Sequence, residues 1–485
     1  MIHIYQFHDL NVVLDVGSGA VHVVSDAAAA LLRAREDRSS PAGEPFAAEQ
    51  LNGSVLGATP ASSRTNADEF VDGQSLATFS ETDLASARGE IAALTAAGLL
   101  DAPEMEEDVL SPEDRGAVIK ALCLHAAHDC NMRCAYCFAD AGGYAGARAL
   151  LPLETGKRAI DFLLANSGAR RNLEIDFFGG EPLMNFEVIK ELVHYGRARE
   201  KDYKKNIRFT LTTNGLLLDD AKTPFLNEHM DNVILSIDGR PEVNDRMRRT
   251  VSGEGTYAHI ADKLLRFAEA RDAAGKLYYV RGTYTKYNKN FTEDVRYLAD
   301  LGFHNISVEP AVSDKLEPWA LTEEDLPEVF AEYDRLAAFM WEWEQAGKQI
   351  SFFHFNVDLE QGPCAYKRVA GCGAGTEYVA VTPEGDIYPC HQFAGETDYR
   401  IGNVEGCFQN RWFDVFNKAH VFSKDECRSC WAKYYCGGGC HANALRMEGD
   451  LLRPHRLSCA IERKRLECAI GLVCARAMTE EISRE

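Results

Sequence analysis

The chain has 485 residues, 46% of them hydrophobic, 10% aromatic and 26% charged, with 38 Gly, 16 Pro and 15 Cys. That composition excludes collagenous and wholly disordered chains, and the length is that of about three domains. Net charge is −22, so the chain repels phosphate backbones and nucleic acid is not an expected partner. The longest apolar runs, such as Ala469 to Ala475, fall short of the ~20 residues that cross a bilayer. Met1 to Leu10 lacks a basic stretch followed by an apolar one, so neither export nor a membrane span is expected. An odd number of cysteines in a long chain fits free thiols in a reducing, cytoplasmic compartment. Nine of the 15 fall between Cys364 and Cys459, and such crowding asks for a metal.

At the amino terminus Ile2, Ile4 and Gln6 alternate with His3 and Tyr5, and the pattern predicts three short strands before Ser25, which caps a helix over 27–32. Residues 36–78 are rich in Ser, Ala, Gly, Pro and Thr without periodicity and are expected to be an insertion that cannot bury enough apolar surface to order itself. A second helix starts after Ser80, with Leu84, Ile91 and Leu94 on one stripe, and stops at Gly98. This makes a small module over 1–105, followed by an acidic linker at 103–112. Over 115–310, strands expected at 118–124, 173–178, 207–212, 232–237, 278–284 and 304–308 alternate with amphipathic helices, the rhythm of an α/β fold with a parallel sheet. Ligands of such folds sit at the carboxyl ends of the strands. A helix at 323–343 and a strand at 351–355 belong to a bridging region, 311–363. In 364–485 regular structure is expected to thin and cysteines to hold the chain instead.

Cys130, Cys134 and Cys137 follow the first strand of the α/β region. Three thiolates are one short of a closed cubane or a tetrahedral zinc site, which leaves a metal position open; a structural zinc completed by His125 or His128 is the plainer alternative. Phe177-Phe178-Gly179-Gly180-Glu181-Pro182, Thr212-Thr213-Asn214-Gly215 and Ser236-Ile237-Asp238-Gly239 each end a later strand, and Arg248 lies ten residues beyond Asp238. Each alone is an ordinary turn, but together they form a series behind the cysteine loop.

This series resembles the radical S-adenosylmethionine superfamily. The resemblance implies a partial (β/α)6 TIM-like barrel in which Cys130, Cys134 and Cys137 hold a 4Fe-4S cluster beside Tyr136 and Phe138. It further implies that Gly179, Gly180 and Glu181 receive the amino group of S-adenosylmethionine, that Thr213 and Asn214 lie at its ribose, that Ser236 and Asp238 line the cofactor, and that Arg248 meets its carboxylate. A second pattern runs from Cys372 through Gly385 and Cys390 to Cys427, Cys430, Cys436, Cys440 and Cys459. It resembles the SPASM extension of peptide-modifying radical enzymes, which implies two auxiliary 4Fe-4S clusters, three in all. Cys427, Cys430, Cys436 and Cys459 would enclose one. Cys372, Cys390 and Cys440 would hold the other, with Cys364 or a substrate thiolate as its fourth ligand. Paired zinc ribbons are the alternative for these spacings. Cys123, Cys407, Cys468 and Cys474 fit no spacing and are expected to be small buried apolar residues.

His125-Ala126-Ala127-His128-Asp129-Cys130, Tyr279-Val280-Arg281-Gly282-Thr283, Asp358-Leu359-Glu360-Gln361-Gly362-Pro363-Cys364 and Trp431-Ala432-Lys433-Tyr434-Tyr435-Cys436 further resemble the SCIFF peptide maturases. That likeness implies a winged-helix-like leader-recognition (RRE) domain at the amino terminus, to whose sheet edge a leader adds as a strand. It implies linkage of a cysteine sulfur to a threonine carbon in a small Cys-rich ribosomal precursor peptide, and a low-potential electron donor such as flavodoxin or ferredoxin. A general base is left open between Glu309 and Asp358. The competing expectations are a sulfatase-maturase-like, formylglycine-forming dehydrogenase and a non-catalytic zinc-bound scaffold.

Overall fold

The computed structural model describes residues 1–39, 76–104, 118–144, 146–313, 317–359, 368–406, 408 and 411–484. Most of the expected insertion and linker, together with Cys364 and Cys407, lie outside the described residues. The chain divides into two compact units: Met1–Val109 with Val357–Cys364 and Arg463–Glu485, and Leu110–Asn356 with Ala365–Glu462. This differs from the expected boundary at 364, because the last helical residues join the amino-terminal module while the cysteine-rich region shares the barrel's sheet.

In the first unit β1 (Ile2–Phe7), β2 (Leu10–Asp15) and β3 (Val21–Val24) form an antiparallel sheet in that order. Alternation sends Ile2, Ile4 and Val13 into a core with Ala28 and Leu32 of helix Asp26–Ser39 and Ala87 of helix Glu81–Ala96. Ser80 starts the second of these helices with a reciprocal capping box: its hydroxyl accepts from the Asp83 amide (3.1 Å), and the Asp83 carboxylate accepts from the Ser80 amide (3.3 Å). The opposite face of the sheet carries His3, whose Nε2 lies 3.0 Å from Glu467 Oε1, and Tyr5, whose hydroxyl donates to the Glu467 carbonyl. Phe7 packs where Gly471 leaves room; a Cβ there would lie 2.2 Å from its ring. Glu467 and Gly471 belong to helix Arg456–Arg484, which the cysteine-dominated sequence of this region masked. Cys468 and Cys474 are buried on it, as expected of small apolar residues.

The second unit holds parallel strands β4 (Ala121–His128), β7 (Asn172–Gly179), β8 (Asn206–Thr213), β9 (Asn232–Ser236), β11 (Leu277–Tyr284) and β12 (Asn305–Pro310), neighbours in that order. Each is followed by a helix, so they form an open six-stranded barrel. β12 takes β13 (Ser351–Phe352) on its free side, and β4 takes β14 (Tyr378–Val381), which continues into the antiparallel β15 (Asp386–Tyr388) and β16 (Gly402–Asn403). Two short elements serve the site: β5 (Met132–Cys134) pairs with β10 (Arg248–Thr250), and β6 (Ala149–Leu150) pairs with β4. The expected strand at 351–355 is cut to two residues, since Phe353–Phe355 turns into a 3-10 helix. β4 runs four residues past its expected end, where it pairs with β7 across an irregularity at His125–Ala127 and with β6; His125 Nδ1 and His128 Nε2 lie 2.9 Å apart there.

Leu163, Leu192, Ile260, Leu264, Val295 and Leu298 are fully buried where the helices cover the strands, each contributing roughly 1.5–3 kcal/mol. The inner face is polar. Thr210 donates to Asp176 (2.8 Å), Arg281 pairs with Glu309, and His354 Nε2 lies 3.2 Å from Glu309. Among the described residues no helix is long and apolar enough to cross a membrane. Fully buried Arg271 gathers the carbonyls of Leu226, Met230, Asp231 and Leu277, tying the end of helix Thr223–His229 to the start of β11. Replacing it by Met in R271M strands these acceptors and lowers stability by about 3 kcal/mol, read as a drop in the urea midpoint.

Candidate metal centres

The first thiol set sits where β4 and β7 end side by side. The Gly180 amide donates to the Ala127 carbonyl (2.8 Å) and the Glu181 amide to the Asp129 carbonyl (2.9 Å). A Cβ on Gly180 would stand 2.0 Å from the Asp129 oxygen, and one on Gly179, whose φ is +118°, would stand 2.3 Å from the Ala127 oxygen. Only glycine allows this approach, and it fixes the backbone that carries Cys130. β5 then pairs with β10 so that Cys134 lies opposite Arg248. Burial pushes the Cys130 thiol up to about 12 and the Cys134 thiol to about 11, the latter against the pull of Arg248. Cys130, Cys134 and Cys137 feel one another's charge, so all three thiolates together need a compensating cation.

The flanking residues form two buried knots. Glu181, fully buried, accepts from the Thr213 hydroxyl (2.7 Å) and the amides of Asn214 (2.8 Å) and Leu183 (3.0 Å); burial still raises its carboxyl to about 7. Asn214 Nδ2 donates to Asn131 Oδ1 at 2.8 Å and lies 3.6 Å from Cys130 Sγ. In the second knot Asp238 accepts from the Tyr136 hydroxyl (2.8 Å) and the Thr283 amide (3.0 Å), and Arg248 donates to the same hydroxyl (3.1 Å). The side chains of Glu181, Thr213, Tyr136 and Asp238 thus bind protein groups and set the positions of the loops at which the cofactor is expected. Ser236 ends β9 half-buried, and Phe138 is exposed, edge-on to Tyr144 and to His391. Arg248 Nε is buried without a partner, a donor suited to a carboxylate.

In the cysteine-rich region the β14–β15 hairpin turns at Gly385 (φ +83°) and delivers Cys390, which accounts for the glycine in that spacing. Cys372, Cys390 and Cys440 interact electrostatically, as do Cys427, Cys430 and Cys436. Cys459 faces Lys424, as do Cys427 and Cys436. Gly437, Gly438 and Gly439, all at positive φ, carry the chain from Cys436 to Cys440. Among the described residues no three Cys, His, Asp or Glu close on a single-ion position.

One site group escaped sequence reasoning. His391, directly after Cys390, accepts or donates at Nδ1 to the Tyr378 hydroxyl (2.8 Å) and packs on Phe178 and Phe138. Adjacency to a cysteine was the one available signal for His391. Cys123 is fully buried, as expected, and its neighbours include Tyr378 and Asp176. Glu309, weighed as a base, is held well below the usual carboxylate range by Arg281 and His354 in spite of burial, which makes it a poor proton acceptor. Asp358 belongs to the first unit.

Residues 116–259 match the family described as a 4Fe-4S single cluster domain, and residues 372–431 match SPASM, an iron–sulfur cluster-binding domain. A cysteine-type anaerobic sulfatase-maturating enzyme of Clostridium perfringens is 26% identical over 339 residues, covering 65% of this chain and 86% of that one. Mycofactocin maturase MftC of Mycobacterium tuberculosis is 27% identical over 322 residues, covering 64% and 76%. Among solved structures, native anSMEcpe with bound AdoMet superposes with a TM-score of 0.60 at 21% identity over 73% of this chain and 98% of that one. Streptococcus suis SuiB bound to S-adenosylmethionine gives 0.50 at 16% identity over 94% and 98%. The chain thus carries a 4Fe-4S single cluster domain and a SPASM iron–sulfur cluster-binding domain and is similar to sulfatase- and mycofactocin-maturating enzymes; its cofactors are 4Fe-4S clusters and S-adenosylmethionine. The glycine cradle, the three thiols and the unpartnered Arg248 Nε fit that group.

Two outcomes test the site. Replacing Gly180 by Ala (G180A) forces the Cys130 loop away and removes the iron of the first centre, about four of about twelve atoms, with the C-terminal iron retained; iron analysis reads this directly. Burial raises the Asp176 carboxyl from 3.8 to about 6, so the folded state binds its proton more tightly than the unfolded state. That stability is present at low pH and is lost as pH rises from about 4 to about 6, whereas D176N lacks the decline; urea midpoints of the two proteins across this range measure it.

Proposed function

We propose that the protein installs an intramolecular thioether, cysteine sulfur to threonine carbon, in a small Cys-rich ribosomal peptide. The observation that carries this reading is the adjacency of two centres. Phe138 of the first thiol loop stacks edge-on to His391 at 5.6 Å, and His391 follows Cys390 of a C-terminal set. A substrate carbon and a substrate thiol can thus be met from neighbouring sides of one polar lumen. When bound, the first cluster with S-adenosylmethionine supplies a hydrogen-abstracting radical, and the C-terminal clusters supply an electron acceptor.

The chain's own residues do the orienting. Arg248 Nε meets a carboxylate, the Gly179–Gly180 backbone lets a ligand approach closely, and the Glu181 and Asp238 knots hold those loops still. The polar groups of the inner face, Asp176 and Thr210 among them, receive the acceptor residue. In the first unit, β3 pairs only with β2 among the described residues, which leaves a sheet edge to which a leader strand can add. A low-potential flavodoxin or ferredoxin in a reducing cytoplasm is the matching electron source.

Formylglycine formation is the second reading, favoured by the likeness to sulfatase-maturating enzymes. The anSMEcpe structure leaves 27% of this chain unmatched, whereas the likeness to SuiB extends over 94%, and an added amino-terminal module supports a leader-bearing peptide. Incubation of the anaerobically reconstituted enzyme with a Cys-rich precursor, reductant and S-adenosylmethionine decides between them. A thioether removes two hydrogens and leaves one cysteine beyond alkylation, while formylglycine formation from cysteine removes sulfur. Zinc in place of iron, or no 5'-deoxyadenosine from the parent beyond that of C130A/C134A/C137A, overturns both.

A further inference from the structure

Lys424 is fully buried, yet among the described residues it forms no ion pair. Its Nζ donates to the Gly438 carbonyl at 2.7 Å, and Gly438 lies midway between Cys436 of one C-terminal set and Cys440 of the other. A Cβ on Gly438 would stand 3.5 Å from that Nζ, so the glycine loop wraps the ammonium closely. The Lys424 carbonyl accepts the amides of Cys427 and Arg428 at 3.0 Å, so the residue is anchored to the Cys427 turn as well. The ionisable groups that its charge meets include the thiols of Cys427, Cys436, Cys459 and Cys440, drawn from both sets. Burying an ammonium without a counter-charge is expensive, and among the described residues no carboxylate pairs with it.

We propose that Lys424 is a positioning cation set between the two C-terminal iron–sulfur clusters, whose charge offsets theirs and holds the reduction potential of at least one of them up. Net charge and local hydrogen bonding are what the protein uses to set such potentials. A fixed positive charge stabilises the more negative, reduced state, so removing it makes the cluster harder to reduce. The inference rests on the C-terminal thiols holding clusters, and it concerns electron flow rather than the chemistry of the peptide.

The test uses the full chain, reconstituted anaerobically in a C130A/C134A/C137A background so that only the C-terminal centres contribute. Redox titration followed by electron paramagnetic resonance compares the parent with K424Q, which keeps an N–H donor without charge, and K424R, which keeps the charge. K424Q is expected to disfavour reduction of at least one cluster about tenfold, a fall of about 59 mV for one electron, with K424R at the parent value. Loss of C-terminal iron in K424Q but not in K424R supports the same compensation. An iron-loaded K424Q at parent potentials, or a K424R that shifts as K424Q does, overturns it. A parent without C-terminal iron overturns the cluster reading and this inference together.

Discussion

The structure depends on one backbone contact, the amides of Gly180 and Glu181 on the carbonyls of Ala127 and Asp129. It sets the ends of β4 and β7 so close that no side chain fits between them, and Cys130 follows at once. Two buried carboxylates spread that placement around the rim. Glu181 ties β7 to the end of β8, and Asp238 ties the loop after β9 to Tyr136 and to β11. Each carboxylate is raised by its own burial, to about 7 for Glu181 and about 6 for Asp238, so the hydrogen bonds that hold them are strained against desolvation. The rim of the barrel is thus a network of short polar links, while its wall is ordinary apolar packing.

The parts of this that were legible in the sequence are those with local causes. β7, β8, β9 and β11 carry apolar alternation bounded by glycine turns, and they stand where that pattern places them. The cysteine loop and the glycine pair were visible as spacing. β4 was misjudged at its end because two histidines look polar in sequence yet are buried in the strand, hydrogen-bonded to each other. The helix Arg456–Arg484 was missed because its charged and cysteine-bearing face hides the stripe that packs beneath β1, at Glu467 and Gly471. Glu181, Thr213, Tyr136 and Asp238 were readable as residues of the strand-end rim, while the hydrogen bonds that join them to other parts of the protein were not. Sequence cannot tell a side chain that touches a ligand from one that holds the loop beside it, since both call for the same residue types at the same turns.

The C-terminal region is built by a different economy. Before the helix Arg456–Arg484 its helices are only a few residues long, and the links between cysteines depend on glycines at positive φ, including the run Gly437 to Gly439. Side chains that elsewhere lie at the surface are inside: Lys424 on Gly438 and Lys433 on the Arg428 carbonyl. Its apolar core, with Phe393, Phe416 and Leu451, is assembled from short separate segments, which is why spacing rather than periodicity was its readable signal.

The parallel pairing of β4 with β14 has a consequence for biosynthesis. Lys120 and Glu377, joined at the start of this pairing, are 257 positions apart in the chain. On the ribosome β4 therefore emerges long before the strand that covers its outer side, and the first cysteine loop hangs from an uncovered sheet margin until nearly four fifths of the polypeptide has been made. The wall beside the first centre is therefore complete only once β14 has emerged.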